Sequence, residues 1–217
     1  MATDTYWQLD KEYATIASDY DLIIRVIEHE DITCTVSGVM GTDSVPKKGF
    51  EFKVKREILA DSSAYFRKLL SNSNFKEASQ DVIDLIEDNG GAAGLSTWFK
   101  ILHNAVDESS YNATTVGIDA VWFMLATAHK YELDPRSADA KAWFEKWYAA
   151  QTAVTERSFD YKEHQQLLFP CYTFDHAPGF RNASKYLVYR ATGHITERRP
   201  NGFTYDHLRL DQTIIRE

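Results

Sequence analysis

The stretch from residue 50 to residue 86 limits the fold most, because its periodicity switches from strand to helix and back within one short span. Phe50, Phe52 and Val54 alternate with Glu51, Lys53 and Lys55, the pattern of a strand with one buried face. The spacing then becomes helical. Tyr65 with Leu69 and Phe66 with Leu70 stand four residues apart and share one side of a helix, which Ser62 can cap from its first turn. An apolar run at residues 82–86 reads as a second short strand. A strand, a helix pair and a strand in so few residues predict a compact unit, and no catalytic motif interrupts it.

The flanking segments extend this pattern. Residues 5–18 carry Trp7, Leu9, Tyr13 and Ile16 among polar residues, which suits a short amphipathic helix or an arm. Residues 21–27 are apolar on both faces and predict a strand internal to a sheet. Between residues 29 and 49 the alternation of Ile32, Cys34 and Val36 allows an extra strand, while Gly38, Gly41, Pro46 and Gly49 punctuate the rest as loop. The glycine-rich residues 89–94 read as a flexible connector. They continue into neither Gly-Lys-Ser/Thr nor a spaced GxGxxG, so they do not read as a phosphate loop.

Three helices follow. Leu95, Phe99, Leu102 and Val106 form one stripe, with Ser96 near its start, and Ile118, Val121, Leu125 and Ala128 form another. The second is broken by Leu133-Asp134-Pro135, after which Ser137 can cap a third helix. That helix carries Trp143 and Trp147 on one row and Phe144 and Tyr148 on the next, aromatic rows that read as core. Beyond residue 159, Pro178 can start a helix bearing Phe180, Ala183, Leu187 and Ala191, ended by Gly193. The turn at 199–202 then separates residues 195–197 from 203–205 as a hairpin.

Composition narrows the function classes. A chain of 217 residues, 44% hydrophobic and 13% aromatic, supports one generous domain or a domain with a companion. The net charge of −8 argues against a nucleic-acid or anionic-membrane surface. No apolar stretch is long enough to span a bilayer, and residues 1–7 lack the pattern of a secretory signal. Cys34 and Cys171 stand far apart in no metal spacing, which predicts buried thiols in a reducing compartment, cytoplasmic or nuclear.

The ordered series of elements, with several short motifs, resembles the BTB/POZ family over roughly residues 15–150. Asp21 opens the first strand where that family has Asp before apolar residues. Phe52-Lys-Val-Lys-Arg-Glu-Ile-Leu is similar to the family stretch Phe-x-x-His-[Lys/Arg]-x-x-Leu, with Lys55 standing where His is usual. Ser62-Ser-Ala-Tyr-Phe, Trp98-Phe-Lys-Ile-Leu-His and Ala126-Thr-Ala-His-Lys-Tyr-Glu-Leu match later family segments in the same order. Residues 187–197 look like the ending of many filamentous-fungal BTB proteins. The resemblance implies an α+β fold, a small three-stranded sheet covered by helices. It assigns residues 1–150 to a BTB/POZ-like domain with an N-terminal arm, and 151–217 to a mostly helical extension ending in the hairpin.

The function implied is non-enzymatic protein–protein interaction, with a homodimer as the first expectation. Asp21 and Arg56 would correspond to a charged pair at the dimer interface, a buried carboxylate met by a bidentate guanidinium. Tyr6, Trp7, Leu9 and Tyr13 of the arm would complete that interface. The alternative is an adaptor for a cullin-type ubiquitin-ligase scaffold, in which Phe75 anchors and Glu77 orients the partner. The plainer expectation for the same residues is a loop with Phe75 packed on the core and Glu77 solvated.

An enzyme with an acidic-residue site is the rival class. None of the seven histidines stands in an HExxH or paired zinc spacing, and no Gly-x-Ser-x-Gly elbow occurs. His164, Cys171 and His176 come nearest to a cluster and match no common site. The sequence therefore predicts no catalytic residues, no metal and no cofactor, and partners that are proteins rather than nucleic acid or membrane.

Overall fold

The structure is a computed structural model and describes residues 9–36, 39–111, 116–153, 159–190, 194–211 and 213–214, with backbone alone at 33–36 and 39–41. The chain divides into two units, Met1–Ala105 and Val106–Glu217. It is a mixed α+β protein, with one four-stranded sheet and seven α-helices among the described residues.

In the first unit the sheet comprises β1 (Lys11–Thr15), β2 (Leu22–Val36), β3 (Val39–Val54) and β4 (Val82–Asp88), in the order β1-β3-β2-β4. β2 and β3 are antiparallel, while β1 on β3 and β4 on β2 are parallel. The expected sheet of three strands is therefore corrected to four. The extra strand is β1, which replaces the helix allowed for the N-terminal segment. β2 is internal as expected, with Leu22, Ile24 and Val26 buried on one face and Ile27 on the other.

Residues 28–36 and 39–49 are strand: the extra strand allowed at Ile32, Cys34 and Val36 is the continuation of β2, and Gly41, Pro46 and Gly49 lie in β3 rather than in a loop, while Gly38 lies outside the described residues. β2 and β3 continue as a two-stranded ribbon through Gly41 and Pro46, with a bulge where Glu28 faces Lys48 but His29 faces Pro46. The bulge accommodates a proline, which has no N–H to give to a ladder.

Two helices, α1 (Arg56–Ser62) and α2 (Ala64–Ser71), connect β3 towards β4, and α3 (Gly91–Leu102) follows. The cap of α2 is Ser63, not Ser62: its hydroxyl accepts from the Phe66 N–H at 3.0 Å, while Ser62 ends α1. Phe52 of β3, Phe66 of α2 and Phe99 of α3 meet as rings with centroids 5.5 and 6.2 Å apart across Phe99, which fixes both helices to the sheet.

The glycines at 90–94 serve packing rather than flexibility. Gly90 takes φ of 92°, a left-handed conformation, directly before α3. A Cβ at Gly91 would lie 2.8 Å from the Cβ of Glu87, so the helix approaches β4 closely there. The first N–H groups of α3 are met from across the sheet by buried Glu28, whose carboxylate accepts from Gly90 at 3.0 Å and Ala92 at 2.8 Å.

The second unit contains α4 (Ile118–Lys130), α5 (Ala138–Ala153), α6 (Tyr161–Thr173) and α7 (Ala177–Arg190). Trp143, Phe144, Trp147 and Tyr148 are buried, so the aromatic rows are core. Phe144 stacks on Phe174 at 4.5 Å. α6 starts from a capping box formed by Asp160 and Glu163. It contains Pro170, whose missing N–H leaves the Gln166 carbonyl without its helical donor. The Trp122 indole N–H of α4 donates to that carbonyl at 2.9 Å, and its ring packs against Phe169 and Phe203.

The expected hairpin at 195–205 is absent. Residues 194–200 are irregular, although Gly202 does turn the chain at φ of 78°. Side chains hold this segment in place of a ladder. Gln165 donates to the Thr196 carbonyl at 2.9 Å, and the Glu197 carboxylate accepts from the Leu210 N–H at 2.8 Å. Among the described residues, no helix is long and apolar enough to cross a membrane.

Two stability outcomes follow from these contacts. Gly91→Ala should destabilise the chain by about 1–3 kcal/mol, because its methyl meets the Cβ of Glu87 as well as the carboxylate end of that side chain, and the Cβ cannot swing away; a urea midpoint unchanged from wild type would contradict this. Trp122→Phe should cost about 1–3 kcal/mol by orphaning a buried carbonyl, and less in a Pro170→Ala background, where the restored N–H satisfies Gln166. A double-mutant cycle by chemical denaturation measures that coupling, and zero coupling would contradict the account.

Candidate interaction site

α1 begins where strand β3 ends, and its start is built from side chains remote in sequence. Lys55, the residue before the helix, supplies no side-chain cap of its own. Asp21, at the entrance to β2, accepts from the Arg56 N–H at 2.8 Å. His103, just past α3, accepts from the Lys55 N–H at Nε2 over 2.9 Å and faces the Phe99 carbonyl with Nδ1 at 2.8 Å. A carbonyl only accepts and an N–H only donates, so His103 is the neutral tautomer with its proton on Nδ1. Burial pushes its pKa below the ordinary histidine value, against the opposing pull of the Phe99 carbonyl and of Asp19 and Asp21.

Asp21, Lys55 and His103 line an open cleft of about 470 Å³, to which Asp19 and Glu57 add further carboxylates. Lys55 pairs with Asp19 at 3.0 Å, and this hydrogen bond holds the Asp19 carboxyl below its ordinary range.

Within the single chain, Asp21 and Arg56 do not form a side-chain ion pair. The two residues do meet, but through the Arg56 backbone, and Asp21 is exposed in this chain rather than buried. The Arg56 guanidinium runs instead to the turn after α2. It donates to the carbonyls of Glu77 and Ala78, each at 3.4 Å, and to that of Gln80. These carbonyls belong to a single 3₁₀ turn, Lys76–Ser79, and its following residue. A planar fork with five donors suits several carbonyls on one turn better than it suits a single carboxylate whose oxygen already accepts from the backbone.

The same turn reverses the expectation for its two named side chains. Phe75 is 45% exposed and does not pack on the core, whereas Glu77 is half-buried. Tyr65 has its pKa raised chiefly by burial and then by the charges of Glu87 and Glu77. The backbone of the turn is tied internally as well, by Phe75 N–H to Asn72 O at 2.9 Å and Ala78 N–H to Phe75 O at 3.2 Å. An apolar ring thus stands in solvent on a backbone that is clamped from α1.

Of the arm residues, Tyr6 and Trp7 lie outside the described residues. Leu9 is half-buried, and Tyr13 is 66% exposed on β1, one of the two edge strands. The remaining candidates are structural in their surroundings. His164 is buried against Tyr186 at 4.0 Å, and His176 accepts from the Gly179 N–H at 3.1 Å. The thiol of Cys171 is buried, and desolvation raises its pKa strongly. Among the described residues, no group of three or more His, Cys, Asp or Glu side chains is arranged to hold a metal. The side chain of Cys34 lies outside the description.

Sequence reasoning missed His103 and the carbonyl partners of Arg56. Periodicity marks His103 only as the residue after a helical stripe, and nothing in the sequence pairs it with Lys55, 48 positions away. A scan against protein-family models finds no match, and a search of curated proteins finds none either.

The depressed pKa of His103 fixes a sign. The folded chain binds fewer protons than the unfolded chain below about pH 6.5, so this contribution to stability is present above that pH and lost as pH falls. Wild type should therefore show a lower urea midpoint at pH 5.5 than at 7.5, with a shallower dependence in His103→Gln, whose amide oxygen still accepts from Lys55. Equal slopes in the two proteins would contradict this role.

Proposed function

We propose that this chain is a protein–protein interaction module of the BTB/POZ kind that pairs with a second copy of itself. The observation that carries the reading is β1, an edge strand of the sheet among the described residues. It is short, and it presents Tyr13 to solvent at the place where the resemblance puts a contact arm. The order of elements in the first unit also supports it. An antiparallel hairpin leads into two helices, a strand returns parallel to the first hairpin strand, and a helix follows. Asp21 and Arg56 act in this reading by fixing the start of α1, and the finer BTB/POZ architecture remains part of the proposal.

Sedimentation equilibrium tests it. Wild type is expected to be dimeric at about 10 µM, an affinity of roughly −7 to −8 kcal/mol. Tyr13→Glu should shift it towards monomer with little change in melting temperature, since that side chain is already exposed. A wild-type chain that stays monomeric at about 100 µM would sink the homodimer.

A second reading, an adaptor for a cullin-type scaffold, is favoured by one observation, the exposure of Phe75 on its clamped turn. A pull-down with a cullin N-terminal region in which Phe75→Ala/Glu77→Ala binds as wild type does would remove it.

A further inference from the structure

Helix α7 is held lightly by apolar burial. Its buried residues are Gly179, Ala183 and Leu187, while Val188 and Tyr189 are 61% and 78% exposed. A helix with so few buried side chains lies towards the low end of local stability, so its other contacts decide whether it stays docked. Two of those contacts are histidines, one at its start and one towards its end.

At the start, His176 directly precedes the helix, and its Nδ1 accepts from the Gly179 N–H at 3.1 Å. An imidazole thus takes the place of an N-cap side chain and satisfies one of the helix's unpaired N–H groups. The ring lies 4.8 Å from Tyr148 and 5.4 Å from Phe144, both on α5. Nδ1 accepts only while it carries no proton. Protonation turns it into a donor facing a donor, and sets a cation at the positive end of the helix dipole.

Towards the end of α7, His164 of α6 stacks on Tyr186 at 4.0 Å, with the Phe159 ring edge-on at 5.8 Å. His164 is 4% exposed, and its Nδ1 has no hydrogen-bond partner among the described residues. A neutral ring loses little there, whereas an imidazolium buries a charged N–H that has no acceptor. The Tyr186 ring already faces the Arg190 guanidinium at 5.6 Å, which repels a second cation.

The surrounding carboxylates are largely engaged elsewhere. Asp160 and Glu163, at the start of α6, each accept the other's backbone N–H. Asp175, beside His176, is paired with Lys141 at 2.6 Å, and the buried Cys171 thiol is kept neutral by desolvation. Glu145 of α5 favours a charged His176, as Asp160 and Glu163 favour a charged His164. Desolvation outweighs all three and holds both histidines below their ordinary pKa.

We infer that α7 is an acid-released helix, docked on α5 and α6 while His164 and His176 are neutral and freed when they gain protons. The undocked helix binds more protons than the docked one. Docking is therefore at full strength above about pH 6.5 and is lost as pH falls below it.

Hydrogen–deuterium exchange of the full chain at pH 7.5 and 5.5, corrected for intrinsic rates, tests this. Protection of residues 177–190 is expected to fall at pH 5.5 by up to about tenfold for each histidine. His164→Phe/His176→Asn keeps the stacked ring and a capping acceptor, so it should hold its protection at both pH values. Unchanged wild-type protection between the two pH values overturns the proposal, as does a folded double variant that loses protection as wild type does. A proton NMR titration of wild type in which either imidazole titrates at or above about pH 6.5 overturns it too. The wild-type measurements need no variant, so a substitution that fails to fold leaves the question decidable. The helix lies within the second unit and rests on none of the contacts proposed for pairing, so either proposal can fail without the other.

Discussion

The surface of the first unit depends on where the guanidinium of Arg56 goes. The residue occupies the first position of α1, where the helix presents unpaired N–H groups and a positive field, and a cation is poorly placed. Two features relieve that conflict. Asp21 brings a carboxylate to the helix start and accepts the Arg56 N–H, and the arginine side chain runs away from the terminus to the carbonyls of the following turn. One residue thereby couples the beginning of β2, the start of α1 and residues 77–80. Three segments far apart in sequence are thereby tied together. The exposure of Phe75 follows from this coupling, since a clamped turn cannot fold its own apolar ring back onto the core.

Periodicity exposed the elements but not the partners of their ends. The alternation at 50–54 and the pairs at 65–70 translate directly into β3 and α2, because burial of one face is a property of a residue's own neighbours in sequence. The cap of α2 was misplaced by one residue, since two adjacent serines offer the same chemistry and only the backbone angle at Ser63 selects between them. The glycines before α3 were misread for a different reason. Glycine marks flexibility in a loop and close approach in a packed helix start, and Glu87 of the neighbouring strand, which decides the matter, is not recognisable as a neighbour beforehand. At residues 195–205 the turn residues were legible and the hairpin was not formed. Gln165 and Glu197 satisfy the backbone there, which removes the need for a ladder.

In the second unit a similar substitution of partners occurs at Pro170. A proline inside a helix normally marks its end or a kink, because both a hydrogen bond and space for the ring are lost. Here α6 runs on, with the Phe174 N–H returning to the Pro170 carbonyl at 2.9 Å, and the carbonyl orphaned at Gln166 is met by an indole from α4. The indole is an amphipathic choice that suits the place. Its ring fills space between Phe169 and Phe203 while its single donor is spent on one acceptor. Helix breaking is therefore a question of whether a substitute donor exists nearby, and no reading of α6 alone can answer it.

The outer face of the sheet shows why an edge strand such as β1 need not be an indiscriminate one. Across the four strands, Tyr13, Glu51, Arg25 and Asp84 fall on one transverse row, and Arg25 meets Asp84 through two hydrogen bonds of 2.7 and 3.1 Å. Glu12, one residue from Tyr13, is paired with Lys48 of β3. A strand of five residues with charges beside its aromatic gives an incoming strand little to hold unless that strand matches it in register and in sign. A second copy related by a two-fold axis carries the same short strand and the same alternation of charge and ring, so the match has to be satisfied only once to be satisfied on both sides. Selectivity of that kind comes from what the edge rejects as much as from the area that Tyr13 can bury.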